Sequence, residues 1–275
     1  VVVPDRVTGM PVDTTSRAPQ AMRDRLFLVT MSGHDAFRPA FDRLSRMGFY
    51  NVSPDQVRVF QPPDAGDLLA RDARNMASVI RRMAAEQPDA LERVTQFLQA
   101  VVPGIVGVES VPVGHMLSLV LTQHVEGARD PWRFGAITMS DGTLRALAVL
   151  VALSQPAIRD VPLVGIEEPE TALHPAAAGL LFEALLAATR HTQVLVTTHS
   201  PDLLDHSELE PDQLLAVVAT AGRTQLAPID EASRDAMKRR LYTGGELLRS
   251  SQLAPDQDAK VPRQLELGFR RPGPR

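Results

Sequence analysis

The sequence predicts an α/β protein built on a mostly parallel sheet, and residues 161–201 carry most of that prediction. Two short apolar runs, residues 161–166 and 194–198, flank a segment with helical character at residues 175–189. Short runs rich in Val, Leu and Ile on either side of a helix are typical of parallel strands, because both faces of such a sheet are buried. This stretch therefore predicts a strand, a helix and a second strand in one sheet.

Reactive side chains follow both apolar runs: Glu167 and Glu168 come after the first, and His199 comes after the second. Open α/β sheets bind ligands at the carboxyl ends of their strands, where these side chains are expected to meet. In a nucleotide hydrolase the first acid holds Mg²⁺, often through water, and the second orients or deprotonates the attacking water. A histidine on the neighbouring strand can reach the γ-phosphate or the same water. A solvated strand end is the alternative for the two acids taken alone. The segments Pro-Glu-Thr-Ala-Leu-His-Pro and Thr-Thr-His-Ser-Pro that follow favour function.

Length and composition limit the classes of protein that remain. The 275 residues suffice for one large domain or two small ones, and 44% of them are hydrophobic, which is enough for a sizeable core. A net charge of -4 argues against an overall cationic nucleic-acid binder but leaves a local basic patch open. The chain has no cysteine, which excludes disulfides and cysteine zinc sites and fits a reducing cytoplasm. No apolar run approaches the length of a membrane span.

The first hundred residues predict mainly helices. Residues 1–25 have little periodicity and are interpreted as a loop or a remnant of something longer, and residues 26–30 as a short strand. A helix is expected over residues 35–47, an amphipathic helix over residues 67–86 and a further helix over residues 88–101. We interpret residues 67–101 as a helical insertion. Its arginines are expected to form a solvated face, with a phosphate-contacting face as the alternative; they are Arg71, Arg74, Arg81 and Arg82.

A hairpin is predicted from residues 105–113 and 116–123, and a helix follows at residues 144–153. Ser140 or Asp141 can cap that helix, and Gly142 lets another backbone come close. A Ser/Gly loop that opens a helix is also an anion site, because free N–H groups and the helix dipole favour phosphate. An ordinary N-cap is the alternative.

The end of the chain predicts smaller elements. Residues 214–218 and 224–229 indicate a second hairpin, and residues 231–242 indicate a helix that Gly244 and Gly245 stop. One further turn is expected within residues 246–253, and residues 254–275 are rich in Pro, Gly and charge, which predicts a disordered tail.

Several segments together resemble the C-terminal half of an ABC/SMC-type ATPase head, in the RecF-like and OLD-like branch of the AAA family ATPases. The loop Ser-Asp-Gly-Thr at residues 140–143 resembles the signature loop, and residues 163–168 resemble the Walker B strand. Residues 170–175 resemble the D-loop, and residues 198–200 resemble the switch-histidine motif. The resemblance implies a P-loop NTPase-like fold whose N-terminal part is missing, with residues 26–253 forming the C-terminal portion of the ATPase domain.

The resemblance also implies roles for individual residues. In such heads two ATP molecules lie between two protomers, each of which contributes to both sites. Residues implied to contact ATP held by the partner protomer are Ser140, Asp141, Gly142 and Thr143, with His174 in the D-loop. Residues implied to serve the chain's own ATP are Glu167 in the Mg²⁺ shell, Glu168 at the attacking water and His199 at the γ-phosphate.

Two departures from the family pattern matter. Residue 167 is Glu where many relatives carry Asp, so a longer side chain must reach the metal shell. More seriously, no Gly-x-x-x-x-Gly-Lys-Ser/Thr occurs anywhere in the chain, so the Walker A phosphate loop and its lysine are absent. The chain therefore resembles the back portion of a longer protein.

The sequence leaves three functions to compare. The first is ATP hydrolysis by a head that dimerises around ATP, coupled to DNA repair or anti-phage defence, with DNA and an effector protein as further partners. The second is a non-catalytic interaction module, or a truncated product without ATPase activity of its own. The third, an OLD-type nuclease, needs an acidic metal-binding domain, for which too few residues follow His199. A histidine metal site is disfavoured because its four candidates match no compact ligand spacing; they are His174, His191, His199 and His206.

Overall fold

The computed structural model describes residues 3–4, 11–12, 26–155 and 159–258. The loop predicted over residues 1–25 and the tail predicted over residues 254–275 lie mostly outside the described residues. The described helices are α1 (Phe27–Thr30), α2 (Arg38–Ser45), α3 (Pro54–Arg58), α4 (Met76–Glu86), α5 (Pro88–Val101), α6 (Asp141–Ser154), α7 (Ala178–Ala188), α8 (Pro201–Leu204), α9 (Glu231–Lys238) and α10 (Gly244–Arg249). The strands are β1 (Val3–Pro4), β2 (Pro11–Val12), β3 (Gly48–Tyr50), β4 (Ile105–Val113), β5 (Met116–Gln123), β6 (Trp132–Gly135), β7 (Leu163–Glu167), β8 (Gln193–Thr197), β9 (Leu215–Thr220) and β10 (Arg223–Pro228).

A parallel sheet in the order β3, β7, β8 positions the chemistry. The two runs predicted to be strands are adjacent in it, joined through a 3₁₀ turn at Pro175–Ala177 and the helix α7. Their register sets Glu167 opposite Thr197 at the carboxyl edge. The predicted α/β class with a parallel sheet is confirmed.

Both predicted hairpins are present. Strands β4, β5 and β6 form an antiparallel sheet in which β4 and β5 have the bounds expected from the sequence. Strands β9 and β10 pair around Ala221 and Gly222, whose φ angles are 49° and 78°. Positive φ at both central residues is the geometry that suits the right-handed twist of a two-residue hairpin.

Helix α6 forms the centre of the core. It packs against α3, α5, α7 and the strands β3 and β7, and Leu144, Leu147 and Val151 are fully buried. A helix that is apolar on nearly every side is expected in such a place. Beyond its C-terminus, Gln155 accepts a hydrogen bond of 3.1 Å from the hydroxyl of Tyr50. Burial raises the pKa of Tyr50 to about 12.

Among the described residues, the side of the parallel sheet away from α6 is largely uncovered. Phe49, Gly165 and Leu195 lie side by side on it, one from each strand. The side chains of Phe49 and Leu195 are 51% and 47% exposed. This differs from the two-sided burial that is usual in parallel sheets.

Two predicted elements at the start of the described chain are wrong. Residues 27–30 form a helical turn rather than a strand. The helix expected from residue 67 begins only at Met76, because the side chain of Asn75 bonds the preceding backbone in its place. Its Oδ1 accepts from the N–H of Ala70 at 2.8 Å, and its Nδ2 donates to the carbonyl of Leu68 at 3.0 Å. Such local bonds compete with a helix.

The last two helices differ from the prediction in their bounds. Helix α9 ends at Lys238, and Arg240 has a left-handed φ of 56° that stops it earlier than expected. Gly244 and Gly245 begin α10 rather than terminating a helix, because Thr243 and Glu246 form a capping box in front of it. Within the described ranges, no helix combines the length and the apolar character that crossing a bilayer requires.

Candidate functional site

A cavity of about 360 Å³ lies at the carboxyl edge of the parallel sheet. Four separate segments line it. They are the residue after β3, the end of β7 with the turn that follows, the end of β8, and the first part of α6. The lining residues are Asn51, Arg145, Glu167, Glu168, Thr171 and Thr197. The two adjacent acids predicted from the sequence therefore lie in a concave site, at the position where α/β sheets bind ligands.

Glu167 is the last residue of β7, and both oxygens of its carboxylate have partners. Oε2 accepts a hydrogen bond of 2.6 Å from Nδ2 of Asn51, and Oε1 accepts one of 3.1 Å from Nη2 of Arg71. The expectation that Arg71 lies on a helix is wrong, because residue 71 precedes α4. Its side chain is 68% exposed, as expected of a solvated arginine, and its guanidinium contacts Glu167. Asn51 was missed, although it directly follows a strand as the acids do.

Glu168 lies just beyond the strand, in a left-handed conformation with φ of 42°. Its N–H donates to the carbonyl of Thr197 at 2.9 Å, and the hydroxyl of Thr171 donates to its Oε2 at 3.2 Å. A non-glycine residue in this region costs roughly 1–2 kcal/mol. Strain of this kind is concentrated at functional sites, where the surrounding structure enforces it.

His199 follows β8 and is the most exposed member of the group. Its side chain is 90% exposed, and its Nε2 lies 3.9 Å from Oε1 of Glu168. The loop that carries it is tied to the turn after β7, because the hydroxyl of Thr198 donates to Oε1 of Glu170 at 2.6 Å. The same hydroxyl accepts from the N–H of Ser200 at 2.9 Å. Glu170 was missed as a site residue, although it is the third acid of one short segment.

The loop at residues 140–143 opens α6 and does not line the cavity. Oγ of Ser140 accepts from the N–H of Thr143 at 3.1 Å, so Ser140 is the N-cap. Asp141 forms an ion pair with Arg58. A Cβ added at Gly142 would lie 2.3 Å from the carbonyl oxygen of Ala172, which confirms the close backbone approach expected at this glycine.

The histidines are spread over separate positions. His174 caps the 3₁₀ turn, where its Nδ1 accepts from the N–H of Ala176 at 3.2 Å, and it does not line the cavity. His206 stacks on Phe182 at 4.2 Å between ring centroids. In the part of the chain that the structure describes, no three His, Asp or Glu side chains are grouped as a metal-ligand set.

Arg145 is another cavity residue that sequence reasoning missed. It belongs to the second turn of α6, and its Nε is buried without a hydrogen-bond partner among the described residues. A detectable signal was present, because Arg145 is the one charged side chain in the long apolar stretch that follows Asp141. The cavity thus holds a cation facing two acids.

The donors of this edge fit a magnesium ion held together with phosphates. Magnesium prefers oxygen ligands and is usually bound by one or two carboxylates, with waters and substrate phosphates completing its shell. Glu167 and Glu168 supply carboxylates, and Thr171 and Thr197 supply hydroxyl oxygens at the same cavity. These residues are of the chemical types that bind magnesium together with phosphates.

Residues 27–205 match the family described as "AAA domain, putative AbiEii toxin, Type IV TA system". The chain belongs to this family, and the matched range contains every residue that lines the cavity. The predicted membership of the AAA family ATPases is thereby confirmed. The corresponding class of protein is an ATPase-like, nucleotide-binding domain, of a kind that usually employs Mg²⁺.

Solved structures with similar folds include SMC ATPase heads. One, from a study of ATP-driven dimerisation and DNA-stimulated activation of SMC ATPases, is 11% identical with a TM-score of 0.43; the match covers 58% of this chain and 94% of that one. The Smc head domain with a coiled coil and joint from Pyrococcus yayanosii is 12% identical, with a TM-score of 0.42, and the match covers 58% of this chain and 31% of that one. The SMC head domain from Thermotoga maritima is 17% identical, with a TM-score of 0.37, and the match covers 54% of this chain and 50% of that one. The chain spans half or less of the length of the last two structures. No curated protein matches it.

Proposed function

We propose that the chain is the part of an ATPase head that carries out ATP hydrolysis at the carboxyl edge of the parallel sheet. The observation that carries this proposal is the placement of Glu168. It is held by the strained turn after β7, within the cavity, with His199 3.9 Å from its carboxylate. A carboxylate fixed beyond a strand end suits a general base, which must meet its proton in a set geometry.

Four of the cavity residues, together with His199, have a role in the proposed reaction. Glu167 holds the magnesium shell, and Asn51 orients its carboxylate. Glu168 accepts the proton of the attacking water, and Thr171 keeps its carboxylate in place through their hydrogen bond of 3.2 Å. His199 donates to the γ-phosphate. Magnesium, when bound with the nucleotide, neutralises the phosphate charge that opposes attack.

The start of α6 serves a second protomer in this proposal. Ser140, Asp141, Gly142 and Thr143 lie outside the chain's own cavity, which supports a role at the ATP of a partner head, as does the exposed His174. The partner is a second copy or another ATPase head. A coupling to DNA and to an effector protein, in repair or phage defence, is supported by the family resemblance alone.

A non-catalytic interaction module is the second candidate, and two observations favour it. The sequence contains no Gly-x-x-x-x-Gly-Lys-Ser/Thr, so these residues by themselves lack the loop that cradles the phosphates in P-loop ATPases. In addition, both oxygens of Glu167 are engaged by Asn51 and Arg71, and the arginine competes with a metal cation for this carboxylate.

ATP hydrolysis measured on two forms of the protein separates these candidates. One form is this chain, and the other is a version extended upstream to any phosphate loop in the same reading frame. We expect turnover in the extended form, with Glu168→Gln lowering kcat by about 100-fold or more and accumulating an ATP-bound dimer in light-scattering measurements. Glu183→Gln, on the exposed side of α7, is the matched control.

Two outcomes would contradict the proposal. Wild-type turnover in Glu168→Gln would remove Glu168 from the reaction. Absence of turnover in both forms, with partner binding retained, would favour the interaction module.

A further inference from the structure

The guanidinium of Arg145 is exceptional among the arginines near the cavity. Arg71 pairs with Glu167 at 3.1 Å, and Arg58 pairs with Asp141. Arg145 makes no hydrogen bond and no ion pair within 4.0 Å to any residue of the described ranges, and its Nε is buried. Arg145 as a whole is half-buried, and Nε of Arg58 and of Arg82 is also buried without a hydrogen-bond partner, so the missing carboxylate is what distinguishes Arg145. A guanidinium without a carboxylate partner in a cavity can bind an anion through its N–H groups.

The position of Arg145 suggests what the ligand is. The residue lines the same cavity as Glu167 and Glu168, which repel an anion unless a cation balances them. A guanidinium binds phosphate through two parallel N–H groups, which suits it to planar recognition of phosphate oxygens. The helix α6 is buried along its length, so its backbone holds Arg145 in place relative to the sheet edge.

A purely structural role for Arg145 is less consistent with its surroundings. Several arginines of the described residues form ion pairs across the fold; Arg82, for example, contacts Asp67 at 2.6 Å and Glu86 at 3.0 Å. Arg145 has no such contact among the described residues, although it is the one charged residue of α6 after Asp141.

We propose that Arg145 is the anion-binding residue of this cavity and takes a phosphate group of a nucleotide polyphosphate opposite Glu168. This inference rests on the proposed function for the identity of the ligand, but it concerns binding alone and does not require hydrolysis. Arg145 lines the same cavity as the acid pair, so the phosphate it is proposed to bind is that of the chain's own site. In this respect it differs from the role proposed for the loop at residues 140–143.

The test measures binding of magnesium tripolyphosphate to the full chain by titration calorimetry. We expect Arg145→Gln to weaken binding about 10- to 100-fold, the range for a lost hydrogen bond to a charged group. Arg145→Lys is expected to recover part of the affinity, because it restores the charge without the paired donors. Arg81→Gln, an exposed position of α4, makes the same change in net charge away from the cavity and should bind as the wild type does.

Labelling of the wild-type protein with phenylglyoxal gives a second measurement that does not depend on a folded variant. Residue-resolved mass spectrometry should show Arg145 protected several-fold by magnesium tripolyphosphate and Arg81 unchanged. Equal labelling of Arg145 with and without the anion would overturn the inference. So would unchanged affinity in Arg145→Gln, or no binding by the wild-type chain.

These outcomes are distinguishable from failure of the proposed function. Tripolyphosphate binding that depends on Arg145, with no ATP turnover in the extended form, would contradict hydrolysis and leave the phosphate site standing. Turnover that depends on Glu168, with affinity independent of Arg145, would overturn this inference alone.

Discussion

Substitution of Gly142 by alanine tests whether the start of α6 and the turn after β7 are in direct backbone contact. The added Cβ would lie 2.3 Å from the carbonyl oxygen of Ala172 and 3.2 Å from its carbonyl carbon. Both are backbone atoms, which cannot rotate away as a side chain can. A normal non-bonded separation requires the two segments to move apart by about 1 Å.

The sign of the effect makes this experiment decisive. Alanine is better than glycine inside a helix by up to about 1 kcal/mol, so Gly142→Ala would stabilise α6 if the site were open. Overpacking of a tight contact costs about 1–3 kcal/mol instead. We therefore expect Gly142→Ala to lower the free energy of unfolding by about 1–2 kcal/mol.

Urea unfolding followed by circular dichroism measures this difference as a shift of the midpoint at constant slope. Gly179→Ala, in α7, is the matched control, because no atom lies within 4 Å of its added Cβ and it should be neutral or stabilising. A Gly142→Ala protein at least as stable as the wild type would refute the contact and the reasoning based on it.

Two further predictions concern stability. Because burial raises the pKa of Tyr50 to about 12, against about 10 in the unfolded chain, its contribution to stability is complete below pH 10 and is lost as the pH rises towards 12. Over that range we expect the free energy of unfolding of the wild type to fall by up to about 2.7 kcal/mol more than that of Tyr50→Phe. Urea unfolding of both proteins at pH 9, 11 and 12 measures this difference. Parallel pH profiles would contradict the burial argument. Ala172 is exposed and has a φ of 65°, in the left-handed region that favours glycine. We therefore expect Ala172→Gly to stabilise the protein by about 0.5 kcal/mol. Ala187→Gly, in the exposed part of α7, should instead destabilise it by about 1 kcal/mol. Equal shifts of the unfolding midpoint for both glycines would show that residue 172 carries no strain.

The parts of the fold that the sequence predicted are those with local signals. Strands β7 and β8 were found because each is a short apolar run next to a helix, and the acids and His199 were found because they follow those strands. Strand β3 was missed because three residues, Gly48–Tyr50, carry no periodicity and become a strand only by pairing with β7.

The missed site residues have in common that tertiary contacts bring them to the cavity. Asn51 and Arg71 reach Glu167 from sequence separations of 116 and 96 residues. The pattern of residues 67–86 is helical by apolar spacing alone, so it placed Arg71 on a helix that the side chain of Asn75 prevents from forming. Arg145 is different, since an isolated charge in an apolar helix was visible in the sequence.

The contact between Gly142 and Ala172 bears on how two sites of a head dimer could communicate. In the proposed function the loop at residues 140–143 binds ATP of the partner, while Glu168 acts on the chain's own ATP. Ala172 follows Thr171, whose hydroxyl holds the carboxylate of Glu168, so the loop and Glu168 are linked through one short turn. Because the contact is between backbone atoms at close approach, the loop cannot move towards the turn without displacing it. In the proposed function, a movement of the loop towards the turn on binding at the partner's site would therefore displace the turn that holds the proposed base, and coupling between sites requires such a differential contact.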